Sequence, residues 1–224
     1  MRQHLFIDAD DTLWENNIYF EHATEAFIEF LDHSSLSPHE IRAVINEVEL
    51  TQGYGTASFI HRLQKAYRRL CERDVTTEAL ERIKTFGEQI QRHPMQLIDG
   101  VKETLEYLAP RHMLAVLTKG DQDEQRLKLD NSGLADYFEH IIVVAEKNVE
   151  TYKDLIQKFA LLPERSWMIG NSPRSDINPA LAAGFNAVFI PHPHTWDMEI
   201  QDVRHEGNGH LLTLHAFSEL RQHF

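Results

Sequence analysis

Leu5-Phe6-Ile7-Asp8-Ala9-Asp10-Asp11-Thr12-Leu13-Trp14 runs three apolar residues into two aspartates one residue apart. Such an apolar run suits a strand buried on both faces, with Asp8 at its carboxyl end, where α/β sheets bind their ligands. Residues i and i+2 of an extended segment point the same way, so Asp8 and Asp10 can serve one centre, Asp8 as nucleophile and Asp10 as proton carrier. Thr12 and the turn after it then offer a hydroxyl and backbone N–H groups to an anion. Taken alone, the same residues read equally well as an acidic turn capping a helix, since aspartate is favoured in both places.

Length and composition narrow the choice. The 224 residues, 42% of them hydrophobic, allow one α/β domain of moderate size plus a small accessory domain. No apolar run approaches the ~18 residues needed to cross a bilayer, and the N-terminus enters the first expected strand without a signal-peptide profile. A cytoplasmic protein with no membrane partner is expected. Cys71 is the only cysteine and sits in helical periodicity among Arg and Glu, which leaves it a structural role. A net charge of −13 argues against nucleic acid as a partner, which needs a basic face. Clustered carboxylates that must meet an anionic substrate normally do so through a divalent cation, and oxygen-rich ligation suits Mg²⁺.

Strand-like runs recur at Met113 to Leu117, Ile141 to Ala145, Ser166 to Ile169 and Ala187 to Ile190, mostly separated by helical patterns, which predicts repeated βαβ units. Leu211 to Leu214 adds a candidate edge strand. Residues 16–97 contain no convincing strand. There Phe20, Ala23, Phe27, Phe30 and Leu31 keep helical spacing, and Ser37-Pro38-His39-Glu40 is a capping box with Pro at the first helical position. Further helices are expected from Thr56 to about Arg73 and from Thr76 or Thr77 to near Arg92. The expected architecture is α/β, a core from residues 1–15 and 98–224 with a helical domain inserted at 16–97.

Three further segments carry chemistry at expected strand ends. Leu117-Thr118-Lys119-Gly120-Asp121 places a hydroxyl before a glycine turn. Glu146-Lys147-Asn148-Val149-Glu150-Thr151-Tyr152-Lys153 offers two lysines able to reach back over the sheet and neutralise charge. Met168-Ile169-Gly170-Asn171-Ser172-Pro173-Arg174-Ser175-Asp176 offers an amide and a carboxylate after a glycine.

The D-x-D-D-T-L-W form of the first segment resembles motif one of the haloacid dehalogenase superfamily, and the other three match motifs two, three and four in order. Together they span about residues 5–190. The resemblance implies a Rossmann-like, doubly wound parallel sheet with a helical cap, and an Mg²⁺-dependent phosphatase acting on a small phosphorylated metabolite. It implies Asp8 as nucleophile, Asp10 as acid and then base, and Thr118 and Lys147 holding the phosphoryl group. The Mg²⁺ ligands would be Asp8, the Asp10 backbone carbonyl, Asp176 and Asn171. Lys147 is preferred to Lys153 because it follows the strand immediately. Two departures stand out: Asn148 replaces the proline that often follows the motif-three lysine, and Asn171 replaces the first acid of motif four.

A dehalogenase or phosphomutase of the same fold, or a silent binding module, are the competing readings. Dehalogenases of this fold generally lack the second acid, so Asp10 favours phosphate. Among lesser candidates, Arg62, Lys65, Arg69 and Arg73 form a basic helical stripe that reads first as a solvated face, Gly53-Tyr54-Gly55 as a turn, and His192-Pro193-His194 as a surface loop. No heptad seam or apolar patch specifies an oligomeric state.

Overall fold

The computed structural model describes residues 2–49, 53–204 and 207–224, with Glu49 described by its backbone alone. They form two compact units, Met1–Asn17 with Met95–Phe224, and Ile18–Pro94.

The first unit carries β1 (His4–Ile7), and after the second unit it continues with α5 (Val101–Leu108), β2 (Met113–Lys119), α6 (Gln122–Ser132), β3 (His140–Val144), α7 (Val149–Phe159), β4 (Ser166–Gly170), α8 (Asn178–Ala182), β5 (Asn186–Phe189) and β6 (Leu211–Thr213). The six strands make one sheet of order β3-β2-β1-β4-β5-β6, every neighbouring pair parallel. The winding direction reverses at β1. The carboxyl ends of β2, β1 and β4 therefore flank the switch-point crevice where such sheets bind ligands.

Alternation along β1 explains why its three apolar residues are all fully buried. Leu5 and Ile7 face a core shared with Val101, Leu105 and Leu108 of α5 and Leu129 of α6. Phe6 faces the opposite core, against Tyr152 and Leu155 of α7, Met168 and Phe185. A strand covered on both faces has no polar side, and each of these large side chains contributes about 1.5–3 kcal/mol by leaving water.

Two strand ends matter for the site. The second strand runs two residues beyond Leu117, because Thr118 and Lys119 pair with Val143 and Val144 of β3. The fourth ends on Gly170, where a Cβ would stand 2.2 Å from the Asp176 carboxylate. Glycine there makes room for Asp176 to fold back onto the sheet.

The second unit comprises α1 (Asn17–Leu31), α2 (Pro38–Glu49), α3 (Thr56–Leu70) and α4 (Thr77–Arg92). Its core joins Phe27, Ile41, Ile45, Phe59, Leu63, Ile83 and Phe86. Ser37 and Glu40 form the expected capping box, the Glu40 carboxylate accepting from Ser37 N at 2.8 Å and Glu40 N donating to Ser37 Oγ at 3.3 Å. The third helix stops at Leu70 rather than near Arg73, since Cys71 turns to extended backbone (φ −61°, ψ 124°).

The basic stripe does not form one solvated face. Arg62 is buried with its guanidinium 5.1 Å from the Phe59 ring centroid, and Arg69 pairs at the surface with Glu47. Among the described residues, no helix is long and apolar enough to cross a membrane.

Candidate active site

Asp8 follows the last residue of β1 directly, and its N–H donates to Ile169 O of β4 at 2.9 Å. That bond fixes the backbone, so the side chain emerges at the crevice, 6% exposed. Lys147, just beyond β3, reaches it from across β2. Its ammonium contacts Asp8 Oδ1 directly and donates to Asp176 Oδ1 at 2.6 Å. Lys153 is instead 56% exposed, 3.9 Å from Glu150.

Asp176 lies in a π-helical turn, Pro173–Ile177, capped by Ser172, and its Oδ2 accepts from Ser172 N at 3.0 Å. Thr12 Oγ1 sits 3.3 Å from both Asp8 Oδ2 and Asn171 Oδ1. Thr118 is buried at the carboxyl end of β2.

One buried ammonium thus faces two buried carboxylates. Burial, reinforced by the charge of Asp176, pushes the Asp8 carboxyl up to about 7 against the pull of Lys147. Burial also raises Asp176, opposed by the same lysine. On Lys147 burial works against the charge, but Asp176 and Asp8 outweigh it and hold the ammonium protonated. The cluster has a negative charge to spare. Two carboxylates and an amide oxygen make an all-oxygen donor set, which together with that surplus charge fits a hard divalent cation.

Asp10 is arranged differently. Its carboxylate, 23% exposed, accepts from Trp14 Nε1 at 2.8 Å, Gln125 Nε2 at 2.9 Å and Lys128 Nζ at 3.0 Å. Burial disfavours its charge, but Lys128, Gln125 and Trp14 outweigh burial and hold the carboxyl below its usual range. Gln125 and Lys128 stand three residues apart on α6, which Asp121 caps with hydrogen bonds from Asp123 N and Glu124 N. Sequence reasoning did not single them out. A polar i, i+3 pair in the first turns of a helix does not stand out from a solvated face.

The loop after β5 supplies further residues that sequence reasoning passed over. Glu199, 6% exposed, pairs with Lys119 and accepts from the hydroxyls of Ser172 and Ser175. Burial disfavours its charge, but Lys119 and these hydrogen bonds prevail and depress its carboxyl. Thr195 Oγ1 accepts from Asn171 Nδ2 at 3.0 Å.

His192 is not part of a plain surface loop. Its side chain is 10% exposed, 3.8 Å from Asp11 and 3.3 Å from Glu15. These three bring possible ligand atoms within 4.8 Å of one another. His192 comes from a part of the chain distant from Asp11 and Glu15, so no local histidine spacing announces the group. Burial and the charge of Asp10 push the Asp11 carboxyl up to about 8.

Residues 3–184 match the haloacid dehalogenase-like hydrolase family, and the chain belongs to it. The chain is 25% identical over 205 residues to the glyceraldehyde 3-phosphate phosphatase of Pyrococcus furiosus, covering 88% of this chain and 84% of that protein. It is 33% identical over 82 residues to the phosphoserine phosphatase of Thermus thermophilus, a match covering 34% of this chain and 33% of that relative's length. A solved haloacid dehalogenase-like family hydrolase from Xanthomonas campestris superposes with a TM-score of 0.85 at 30% identity, over 99% of this chain and 94% of that one. Solved 2-haloacid dehalogenases share the fold at 21% identity or less.

Proposed function

We propose that this hydrolase is an Mg²⁺-dependent phosphatase that cleaves a small phosphomonoester through a phosphorylated Asp8. The observation that carries the reading is the buried Asp8–Lys147–Asp176 cluster, with a second aspartate, Asp10, two residues from the nucleophile. The named phosphatase relatives support it.

Asp8 Oδ attacks phosphorus, the new O–P bond forming as the bond to the leaving oxygen breaks. Asp10 gives a proton to that oxygen; because Lys128 holds it ionised, it takes this proton from solvent before the first turnover and regains it from water at the end of each. In the second half Asp10, now a carboxylate, takes a proton from water, whose oxygen bonds to phosphorus as the Asp8–phosphorus bond breaks, releasing inorganic phosphate. The Thr118 hydroxyl and the Lys147 ammonium hold the phosphoryl oxygens. Asp8, the Asp10 carbonyl, Asn171 and Asp176 are the residues to hold Mg²⁺, which when bound offsets negative charge on nucleophile and phosphate.

Asp10 favours this reading over halide displacement, because a halide leaves without needing a proton. The test is phosphate release from a panel of phosphomonoesters and p-nitrophenyl phosphate, with and without Mg²⁺, for the wild type and Asp8→Asn. Metal-dependent release lost in Asp8→Asn is expected. Release that persists in that variant, or none from any ester at saturating Mg²⁺, would overturn the assignment.

A further inference from the structure

The family motif carries an acid where this chain has Asn171, and the loop after β5 supplies a reason. Thr195 Oγ1 has one hydrogen to give. It donates that hydrogen to His192 O at 2.9 Å, a carbonyl that also accepts from Thr195 N at 3.1 Å, so that the Thr195 hydroxyl and amide close on one oxygen. The lone pairs left on Oγ1 face Asn171 at 3.0 Å, and only the Nδ2 end of an amide can meet them. The two ends of an amide side chain are told apart by such partners alone. Here they leave Oδ1 on the other side, 3.3 Å from Thr12 Oγ1, which is itself 3.3 Å from Asp8 Oδ2.

We propose that Thr195 is a positioning residue: it fixes the Asn171 amide with its oxygen turned toward Asp8, and so makes a neutral side chain a ligand for the Mg²⁺ of the reading above, on which this inference rests. Freed from Thr195, the amide can turn over and present its N–H₂ group, which repels a cation. A carboxylate at 171 has no hydrogen for Thr195. Its oxygen would face lone pairs unless the hydroxyl gave up its bond to His192 O, which would keep only the one from Thr195 N at 3.1 Å.

Thr195 is well placed to hold the amide because its loop is tied down at both ends. His192 lies against Glu15 and Asp11, and Glu199 is locked to Lys119, Ser172 and Ser175. Partners of this kind, one step removed from the metal, typically change metal affinity by roughly 10- to 100-fold when lost.

The experiment is calorimetric titration of Mg²⁺ into the metal-free full chain, with circular dichroism and a thermal melt on each variant. Thr195→Val is expected to weaken Mg²⁺ binding by roughly 10-fold or more, and Thr195→Ser to restore it. In the Asn171→Asp background, Thr195→Val is expected to cost nothing, because the carboxylate has no amide hydrogen to lose; this coupling is what a merely structural role would not produce.

Wild-type affinity in Thr195→Val, or losses that multiply independently in the double variant, would overturn the positioning role and leave the phosphatase reading intact. Wild type that binds no Mg²⁺ would overturn both. Should Thr195→Val fail to fold, Thr195→Ala takes its place: Mg²⁺ affinity weakened by roughly 10-fold or more supports the role, and any smaller loss overturns it.

Discussion

Lys128 donates to both carboxylate oxygens of Asp10, at 3.0 and 3.1 Å, and holds the acid of the proposed reaction ionised. Ionised Asp10 is the form that takes a proton from water, so the lysine favours the second half-reaction. An opposite charge at this range lowers a carboxyl by roughly 1–3 units. With Lys128→Met the Asp10 pKa rises, and the acid limb of the kcat–pH profile is expected to move up by about one unit or more. An unmoved limb would show that Asp10 does not govern that step.

Asp8 shows the opposite sign. Its folded pKa, about 7, lies above its unfolded value near 4, so the folded protein binds the extra proton between those limits and loses stability as pH rises through that window. Removing the charge removes the penalty. Metal-free Asp8→Asn is therefore expected to melt above the wild type at pH 8, by an amount on the order of 1 kcal/mol, with the gap closing by pH 4. Paired melts in EDTA at the two pH values check this while turnover is lost.

Gly170→Ala would place a methyl group 2.2 Å from an oxygen of Asp176. The carboxylate must move, and the Lys147 contact with it. A destabilisation of about 1–3 kcal/mol is expected, together with a raised Mg²⁺ requirement in the phosphate-release assay. A variant with wild-type Tm and metal response would show that Asp176 has room to spare.

Glu199→Ala removes the carboxylate facing Lys119, whose side chain is only 14% exposed and also donates to Ser175 Oγ at 3.0 Å, and the acceptor shared by two serines. Breaking such a buried pair from one side costs about 3–5 kcal/mol. Urea unfolding of wild type and variant measures the loss. Glu199→Gln keeps an acceptor for one serine and is expected to fall between them.

What the sequence made legible was what depends on neighbours along the chain. Asp8, Thr118, Lys147 and Asn171 each sit at a strand end announced by a short apolar run, and a parallel sheet gathers its carboxyl ends on one edge. Asp176 was readable from its fixed spacing after Gly170.

Meetings between distant residues were not legible. Glu199 reaches Lys119 from 80 residues away, and Lys128 reaches Asp10 across 118. Neither carries a local pattern that separates it from a solvated charge. The same holds for Arg62, whose helical spacing matches an exposed stripe while its side chain lies within the core of its own unit. His192 reads in the sequence as part of a surface loop, because its partners, Asp11 and Glu15, stand at the other end of the chain.

Within the α/β unit, the two points where residues 18–94 depart and return are stitched to each other. Glu15 N donates to Gln96 O at 2.9 Å, Ile98 N donates to Leu13 O at 3.0 Å, and Trp14 and Leu97 form an antiparallel bridge between them. This short ladder closes the breakpoint with bonds that belong to the sheet-bearing unit alone. The intervening 77 residues are thus topologically a detachable module, hung from a hairpin stem that starts one residue after Thr12. None of these bonds involves a residue of the module, so a change in its length or sequence leaves the stem, and the aspartates at its foot, in place.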